Sequence, residues 1–243
     1  MDINGKVALI TGSAKRIGRS TAIELAKRGA RVALHFHTSG QQATETLRSI
    51  QDSGGTGAVF QADLTNTGDV DDMFTKIVKT FDGVDILVNS ASVFNAGPAD
   101  EATPMHWNTQ MDANAKAPFF LAQKAARLML PRGGGKIINI VDVAGELIWP
   151  GYFAYSVSKA ALMAVNRGLA KTYAPSIMVN GIAPGPVLFP DHYTEEQKSS
   201  AIERTLLKRA GSPRDIVNAI VFLIENDYIT GEIIHVDGGR HIM

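Results

Sequence analysis

Residues 7–18 read VALITGSAKRIG. The four apolar residues at the start predict a buried strand, and the glycines at positions 12 and 18 bracket a tight turn. The residues that follow have the apolar spacing of a helix ending near Arg28, where Gly29 can adopt the left-handed conformation that closes many helices. This segment therefore predicts a strand, a turn and a helix in direct succession.

The same succession recurs along the chain. Six further strands are predicted at residues 31–37, 58–61, 86–88, 136–141, 178–182 and 233–236, and most are separated by segments of helical length. Such alternation is typical of a parallel sheet with helices on both faces. We therefore predict an α/β fold in which residues 1–243 form a single doubly wound Rossmann domain with a seven-stranded parallel sheet.

Composition limits the classes of partner. The 243 residues include 24 basic and 24 acidic side chains and no cysteine. Because the net charge is zero, no field attracts nucleic acid or an anionic membrane surface. The lack of cysteine excludes disulfides, thiolate catalysis and cysteine-ligated zinc. No secretory signal or membrane-spanning segment is visible in the sequence, so we expect a cytoplasmic protein that acts on a small molecule.

The glycine turn is a candidate phosphate site. Ligands of parallel α/β sheets bind beyond the carboxyl ends of the strands, and a helix that starts there favours a bound pyrophosphate. Gly12 and Gly18 would let the backbone approach such a group closely. Glycine also occurs in loops for purely conformational reasons, so the spacing alone leaves a nucleotide site and a simple tight connection equally open.

The end of the second strand discriminates between dinucleotides. An NAD-selective site usually has a carboxylate there, whereas residues 35–39 of this chain read HFHTS. Without an acid, and with Lys15 and Arg16 in the preceding turn, the pocket suits a 2′-phosphate and predicts NADP(H). His35 and His37 are interpreted as a same-face pair on an edge of the sheet. They lack a nearby carboxylate or third histidine, so we predict no metal.

A tyrosine and a lysine four residues apart are the candidate proton-transfer groups. On a helix this spacing places Tyr155 and Lys159 on one face, a turn apart. An ammonium in that position favours the phenolate, so we expect the pKa of Tyr155 to fall from about 10 towards neutrality. The phenol could then donate a proton to a reduced carbonyl or imine.

Several motifs occur together in a specific order. They are Thr11-Gly12 with Gly18, Asp63-Leu64, Asn89-Ser90-Ala91, Asn114, Tyr155 with Lys159, and Pro184-Gly185. Over essentially its whole length the chain resembles the short-chain dehydrogenase/reductase family. The resemblance implies catalytic roles for Asn114, Asp142, Tyr155 and Lys159. It implies cofactor contacts from Gly12, Lys15, Arg16, Ile17, Gly18, His37, Thr38, Ser39, Asp63, Leu64, Asn89, Ser90, Ala91, Tyr155, Lys159, Pro184 and Gly185.

Departures from the common family pattern narrow the resemblance to pteridine reductases. Arg16 replaces the middle glycine of the turn, Asp142 replaces the serine before the catalytic tyrosine, and Ser92 and Phe94 follow the fourth strand. The resemblance implies that Phe94 covers a flat pterin lying on the nicotinamide, and that Arg16 lies between the cofactor phosphates and the pterin oxygen. Ser92 would add a hydroxyl group, and Asp142 would orient Tyr155 and meet the polar edge of the pterin.

The resemblance also implies a reaction and an assembly. The cofactor would deliver hydride to a ring carbon of a C=N bond, while Tyr155, coupled to Asp142 and Lys159, supplies the proton to nitrogen. Lys159 would also hold the nicotinamide ribose, and Asn114 would position a backbone carbonyl and a water that relay protons to Lys159. The family is usually tetrameric, which places helices at residues 114–129 and 155–173 in the interface.

A loop-rich stretch begins at residues 184–186, which read PGP. We expect a lid at about residues 186–207, with Leu188 and Phe189 in contact with substrate. Trp149, Phe153 and His192 are further candidates in the two loops that would enclose the substrate.

Three functions stay open on these residues. The first is NADPH-dependent reduction of dihydropterins or dihydrofolate, with oxidised pterins as additional substrates. The second is reduction of another carbonyl, such as a 3-oxoacyl thioester, with Asp142 merely replacing serine. The third is a regulator that binds NADP(H) without turnover, because a fold alone does not establish activity.

Overall fold

Alternate residues of the first strand face opposite sides of one sheet, and both sides are covered. A computed structural model describes residues 1–190 and 193–243, and all strands that it describes join a single parallel sheet in the order β3-β2-β1-β4-β5-β6-β7. The strands are β1 (Val7–Ile10), β2 (Arg31–Phe36), β3 (Thr56–Gln61), β4 (Ile86–Asn89), β5 (Gly135–Ile140), β6 (Ile177–Pro184) and β7 (Ile233–Val236).

Helices connect successive strands. They are α1 (Arg16–Lys27), α2 (Gly40–Asp52), α3 (Thr67–Phe81), α4 (Pro104–Met111), α5 (Ala117–Met129), α6 (Ala144–Leu147), α7 (Phe153–Tyr173), α8 (Glu195–Glu203) and α9 (Pro213–Glu225). A π-helical turn at Asp112–Lys116 joins α4 to α5, and short 3₁₀ turns lie at Leu130–Arg132 and Arg240–Ile242.

Two apolar cores lie on opposite faces of the sheet. Ala8 and Ile10 of β1 pack with α1, α2 and α9, whereas Val7 and Leu9 pack with α3, α5 and α7. Every residue of β1 is fully buried, which is why the strand reads as a continuous apolar run rather than an alternating one. The strand order reverses between β1 and β4, and this reversal opens a crevice at the carboxyl edge of the sheet.

The predicted fold is confirmed, with shifts at strand ends. β2 ends at Phe36 because His37 lies beyond the sheet with a side chain that is 59% exposed. β3 begins at Thr56, two residues before the predicted start, because Thr56 and Gly57 pair with Arg31 and Val32. This pairing depends on backbone position rather than on apolar side chains, so the sequence pattern does not show it.

The predicted lid region contains a helix as well as loop. Thr194 caps α8 with its side chain, in a reciprocal pair of hydrogen bonds with Gln197. His192, a candidate from the sequence, lies outside the described residues. Among the described helices, none combines the length and apolar character required to cross a lipid bilayer.

Candidate active site

The predicted site residues gather around the crevice at the carboxyl edge. The glycine turn follows β1, residues 90–94 follow β4, and Asp142 lies two residues after β5. Pro184 ends β6 and Gly185 follows it. Residues far apart in the sequence are brought to one edge because all the strands run in the same direction.

The geometry of the glycine turn fits a bound dinucleotide. Gly12 has a φ angle of +64°, and a Cβ atom there would lie 2.9 Å from Cα of Ala91. A Cβ atom on Gly18 would lie 2.4 Å from the carbonyl oxygen of Gly12. Any side chain at either position would therefore displace the loop after β4 or the start of α1. α1 begins within this turn, and the positive end of its helix dipole would favour a bound pyrophosphate there.

His35, at the end of β2, holds the backbone of the glycine turn through a hydrogen bond. Its Nδ1 accepts a hydrogen bond of 3.1 Å from the backbone N–H of Gly12, and its Nε2 lies 3.1 Å from the carbonyl oxygen of Ala62. This pairing requires a neutral ring with the proton on Nε2. Burial lowers the pKa of His35 to about 4, although the hydrogen bond to Ala62 opposes the shift. His35 therefore joins the ends of β1, β2 and β3.

The interpretation of His35 and His37 as a same-face pair on a sheet edge is wrong. β2 is paired on both sides, with β1 and β3, so it is not an edge strand. His35 is buried, whereas His37 lies beyond the strand at 4.0 Å from Asp63. Within the described parts of the chain, no three histidine or carboxylate side chains are arranged to hold a metal ion.

The loop after β4 is held close to the glycine turn. Thr11 Oγ1 accepts hydrogen bonds of 2.9 and 3.0 Å from the backbone N–H groups of Ser90 and Ala91. Asn89 donates to Asn139 of β5 at 2.9 Å, and Asn139 donates to Asn166 of α7 at the same distance. The Ser90 position is therefore fixed through its backbone and does not need an asparagine side chain.

The other predicted cofactor residues surround this turn. Lys15 and Thr38 are exposed, Ile17 and Ser39 are half-buried, and Leu64 packs against the core between β1 and α3. Asp63 accepts two hydrogen bonds from Thr65, which lower the pKa of its carboxyl group. A Cβ atom on Gly185 would lie 2.6 Å from Cα of Asp237, so this loop also requires glycine.

The predicted proton-transfer groups meet at the start of α7. The phenol of Tyr155 donates a hydrogen bond of 2.7 Å to Oδ2 of Asp142, whose Oδ1 accepts from the backbone of Ala144 at 2.8 Å. Lys159 Nζ donates to the carbonyl oxygen of Ile140 at 2.9 Å and lies 5.7 Å from the centre of the Tyr155 ring. Tyr155 and Lys159 are both buried.

The expectation that Lys159 lowers the pKa of Tyr155 is wrong in this structure. Burial raises the pKa of Tyr155 well above 10, and the adjacent Asp142 raises it further. Burial also raises the pKa of Asp142, and it lowers that of Lys159 to about 8 against the attraction of Asp142. The carboxylate is hydrogen-bonded to the phenol while the ammonium is not, so Tyr155 is held as a neutral proton donor.

Asn114 positions the loop that carries Ser92. It lies in the π-helical turn, and its Oδ1 accepts from Ser92 Oγ at 3.0 Å and from the backbone N–H of Val93 at 2.9 Å. Its Nδ2 donates to Val93 O at 2.9 Å and to Ser158 Oγ at 3.0 Å. The side chain of Asn114 thus links the loop after β4 to α7.

Phe94 belongs to an aromatic wall beside Tyr155. Its ring stacks on Tyr152 with 4.3 Å between centroids and an angle of 8°. It meets Tyr155 edge to face at 4.7 Å and Trp149 edge to face at 6.5 Å. A backbone bridge between Gly97 and Tyr152 joins the two loops that carry these rings. One face of Phe94 is therefore covered by a residue of the same chain.

Arg16 contacts the predicted lid. Its Nη2 donates to the carbonyl oxygen of Leu188 at 2.5 Å, and its Nη1 donates to that of Phe189 at 3.3 Å. The backbone of Arg16 has a φ angle of +54°, which is unusual for a residue with a side chain. Leu188 and Phe189 are half-buried; the side chain of Leu188 packs against the core, and that of Phe189 lies beside Tyr193.

Three site residues were missed by sequence reasoning. The Tyr152 hydroxyl lies 3.3 Å from that of Tyr193, which connects the aromatic wall to the lid segment. Arg240 follows β7, and its guanidinium carbon lies 5.2 Å from the centre of the Trp149 ring. Tyr152 could have been found from its place three residues, about one helical turn, before Tyr155. No local pattern distinguishes Tyr193 or Arg240, because their contacts join distant parts of the chain.

The chain is similar to known proteins over almost its whole length. The family model described as Enoyl-(Acyl carrier protein) reductase matches residues 12–241. The chain belongs to the short-chain dehydrogenase/reductase family. The 3-oxoacyl-[acyl-carrier-protein] reductase FabG of Staphylococcus epidermidis is 32% identical over 242 residues, which cover 98% of this chain and 99% of that protein.

Two solved structures represent different substrates within the family. The angucycline C-6 ketoreductase LanV with bound NADP has a TM-score of 0.93 and 32% identity, and the match covers 100% of this chain and 98% of LanV. FolM alternative dihydrofolate reductase 1 from Brucella canis, complexed with NADP, also has a TM-score of 0.93 and 32% identity, over 100% of this chain and 96% of FolM.

Membership of the short-chain dehydrogenase/reductase family confirms that the chain is an NAD(P)-dependent oxidoreductase. The close approach of Gly12 to Ala91 and the buried support from His35 show that the turn after β1 fits this cofactor.

His35 makes stability depend on pH in a specific window. Its pKa is about 4 in the folded protein and about 6.5 when unfolded, so between these values the unfolded chain binds more protons. The stability that neutral His35 contributes is present above pH 6.5 and is lost as pH falls towards 4. We expect His35→Leu to remove on the order of 3 kcal/mol of the stability difference between pH 7 and pH 4. Urea unfolding of both proteins at several pH values measures this.

The comparison of wild type with His35→Leu separates the pH effect of His35 from its structural effect. Wild type and variant share every other titrating group, so the difference between their pH slopes isolates His35. The variant also leaves the Gly12 N–H without its acceptor, which costs about 1–3 kcal/mol at pH 7. Parallel pH slopes for the two proteins would contradict the neutral, buried histidine.

Proposed function

We propose that this enzyme reduces pterins with NADPH, converting a dihydropterin or dihydrofolate to the tetrahydro form. The observation that carries the proposal is the half-buried carboxylate of Asp142, which accepts a hydrogen bond from the proton donor Tyr155 beside the aromatic wall. A carboxylate in this position would repel the oxygen of a simple ketone. It suits a flat heteroaromatic ring whose edge carries N–H donors.

Residues at the carboxyl ends of β1 and β2 and on α7 would hold the cofactor. The glycine turn and the start of α1 receive the pyrophosphate, and Lys159 reaches the nicotinamide ribose. Lys15 is exposed in the turn after β1, where it could meet a 2′-phosphate, and no acid ends β2; both features support NADPH over NADH. When bound, the cofactor supplies hydride to a ring carbon of the substrate C=N bond.

Tyr155 would supply the proton to the ring nitrogen. Because its pKa is raised, the phenol carries its proton throughout the neutral range and can act as a general acid. Asp142 orients the phenol through the 2.7 Å hydrogen bond. Lys159, with a pKa of about 8, is mostly protonated at neutral pH and can return a proton to the site. Asn114 holds the Ser92 loop and, from the family resemblance, would also position a backbone carbonyl and a water for that relay.

Phe94 would form the wall over the substrate, and Ser92 and Arg16 would meet its polar atoms. The stacking of Tyr152 on Phe94 supports this role, because it fixes the orientation of the Phe94 ring before substrate binds. Arg16 donates to two lid carbonyls and has further N–H groups for a pterin oxygen. The space between Phe94 and the nicotinamide would form a slot for the flat substrate. Leu188 and Phe189 would close this slot from the lid, at residues 186–207.

The relatives support two substrate classes. FolM is described as an alternative dihydrofolate reductase, which favours the pterin proposal. FabG is described as a 3-oxoacyl-[acyl-carrier-protein] reductase and LanV as a ketoreductase, which supports the second candidate, reduction of another carbonyl. A regulator without turnover is disfavoured, because Tyr155 and Lys159 are buried in a hydrogen-bonded arrangement suited to proton transfer.

A homotetramer and a cytoplasmic location stay predictions. The assembly is supported by the surface of α5, where Phe119 and Phe120 are 37% and 39% exposed. Small residues at Ala164 and Gly168 on the exposed side of α7 would allow close packing of a second copy.

The direct test is NADPH oxidation at 340 nm by the purified protein. Dihydrobiopterin, dihydromonapterin, dihydrofolate and an acetoacetyl thioester are offered in parallel, with NADH as the cofactor control. We expect turnover of one or more pterins with NADPH, and little with NADH. Turnover of the thioester alone would support the second candidate and contradict the pterin proposal.

Phe94→Ala tests the substrate slot. Loss of the stacked ring removes about 0.5–1.5 kcal/mol of aromatic contact in addition to apolar burial, so we expect the KM for the pterin to rise roughly tenfold. The KM for NADPH should change less than twofold. Tyr228→Ala is the matched control, because Tyr228 is fully exposed. A rise in the KM for NADPH alone would mean that Phe94 does not line the slot.

A further inference from the structure

Trp149 and Arg240 extend the aromatic wall away from the proton donor. Trp149 packs edge to face against both Phe94 and Tyr152, at 6.5 and 6.4 Å between centroids. The guanidinium carbon of Arg240 lies 5.2 Å from the centre of the Trp149 ring, within the range of a cation–π contact. The wall therefore continues from Tyr155 through Phe94 and Trp149 to a positive charge.

Arg240 has no direct ion-pair partner among the described residues. Arg240 Nη1 donates a hydrogen bond of 3.0 Å to the carbonyl oxygen of Ala201 in α8, which leaves its other N–H groups available. No acidic side chain in residues 1–190 or 193–243 forms a salt bridge with Arg240 or Arg204. Asp142 and Asp237 attract Arg240 only from a greater distance.

A second guanidinium adds to the same charge. Arg240 is half-buried and contacts the carbonyl oxygen of Ala201, and Arg204 follows Ala201 by three residues at the end of the same helix. Burial and, next, the nearby Arg204 lower the pKa of Arg240. Arg204 and Arg240 carry like charges at the end of the aromatic wall, and Arg240 is partly removed from water. A bound anion would stabilise this pair of charges. The planar fork of an arginine matches a carboxylate with two parallel hydrogen bonds.

We infer that Trp149, Arg204 and Arg240 form a subsite for the carboxylate of an aromatic tail on the substrate. This inference rests on the proposed function and names its substrate class: a dihydropterin with an anionic tail, such as dihydrofolate, is preferred over one with a neutral side chain. The pterin ring lies against Phe94, and the tail extends along Trp149 towards the two arginines.

The test compares Arg240→Met with the wild type on two substrates. Methionine keeps an unbranched apolar side chain over Trp149 and removes the charge. We expect the ratio of kcat/KM for dihydrofolate to that for dihydromonapterin to fall about tenfold or more, since one charge-assisted contact is lost. In the wild type, added salt should raise the KM for dihydrofolate more than that for dihydromonapterin, and the variant should lose this difference.

Two further variants complete the test. Arg240→Lys keeps the charge but not the planar fork, so it should retain part of the preference and lie between wild type and Arg240→Met; it also gives a result if the methionine variant folds poorly. Arg48→Met removes an exposed arginine from α2 and should leave the ratio unchanged.

The outcomes separate the subsite from the proposed function. A lid-positioning role for Arg240 through Ala201 would lower turnover of both substrates equally, and an unchanged ratio would overturn the subsite while leaving pterin reduction intact. A wild-type protein that reduces neither pterin would overturn both.

Discussion

The hydrogen bond between Tyr155 and Asp142 is the contact on which the chemistry of this site depends. Asp142 is half-buried, and a carboxylate withdrawn from water is costly unless it is paired; here it is paired with a phenol and a backbone N–H. That arrangement keeps the proton on Tyr155 and places negative charge at the point where substrate would bind. An ordinary carbonyl gains nothing from this charge, whereas a nitrogen-rich ring can donate to it.

The rest of the edge holds that contact in position. His35 supports the glycine turn, Thr11 fixes the loop after β4, and Asn114 connects this loop to α7. Each link joins the end of one strand to the start of another element, so the cofactor turn and the proton donor are parts of one connected network. Rigid placement of this kind is what hydride and proton transfer require.

The fold and the main site residues could be predicted from sequence because they depend on local patterns. Buried parallel strands read as apolar runs, and the spacing from Tyr155 to Lys159 follows from helix geometry. The environment of these residues could not be predicted in the same way. Whether Tyr155 responds to Lys159 or to Asp142 depends on distances across the fold, and His35 acquires its role from Gly12 and Ala62. Arg240 joins the site only because β7 ends beside β6.

In the proposed function, Asp142 makes this site select a pterin over a ketone. The most direct measurement is the ratio of kcat/KM for the best pterin to that for an acetoacetyl thioester, in wild type and in Asp142→Ser. Hydrogen bonds to a charged group contribute about 1.5–3 kcal/mol, so we predict that the ratio falls by about tenfold or more. An unchanged ratio would contradict the claim and would assign Asp142 a purely structural role.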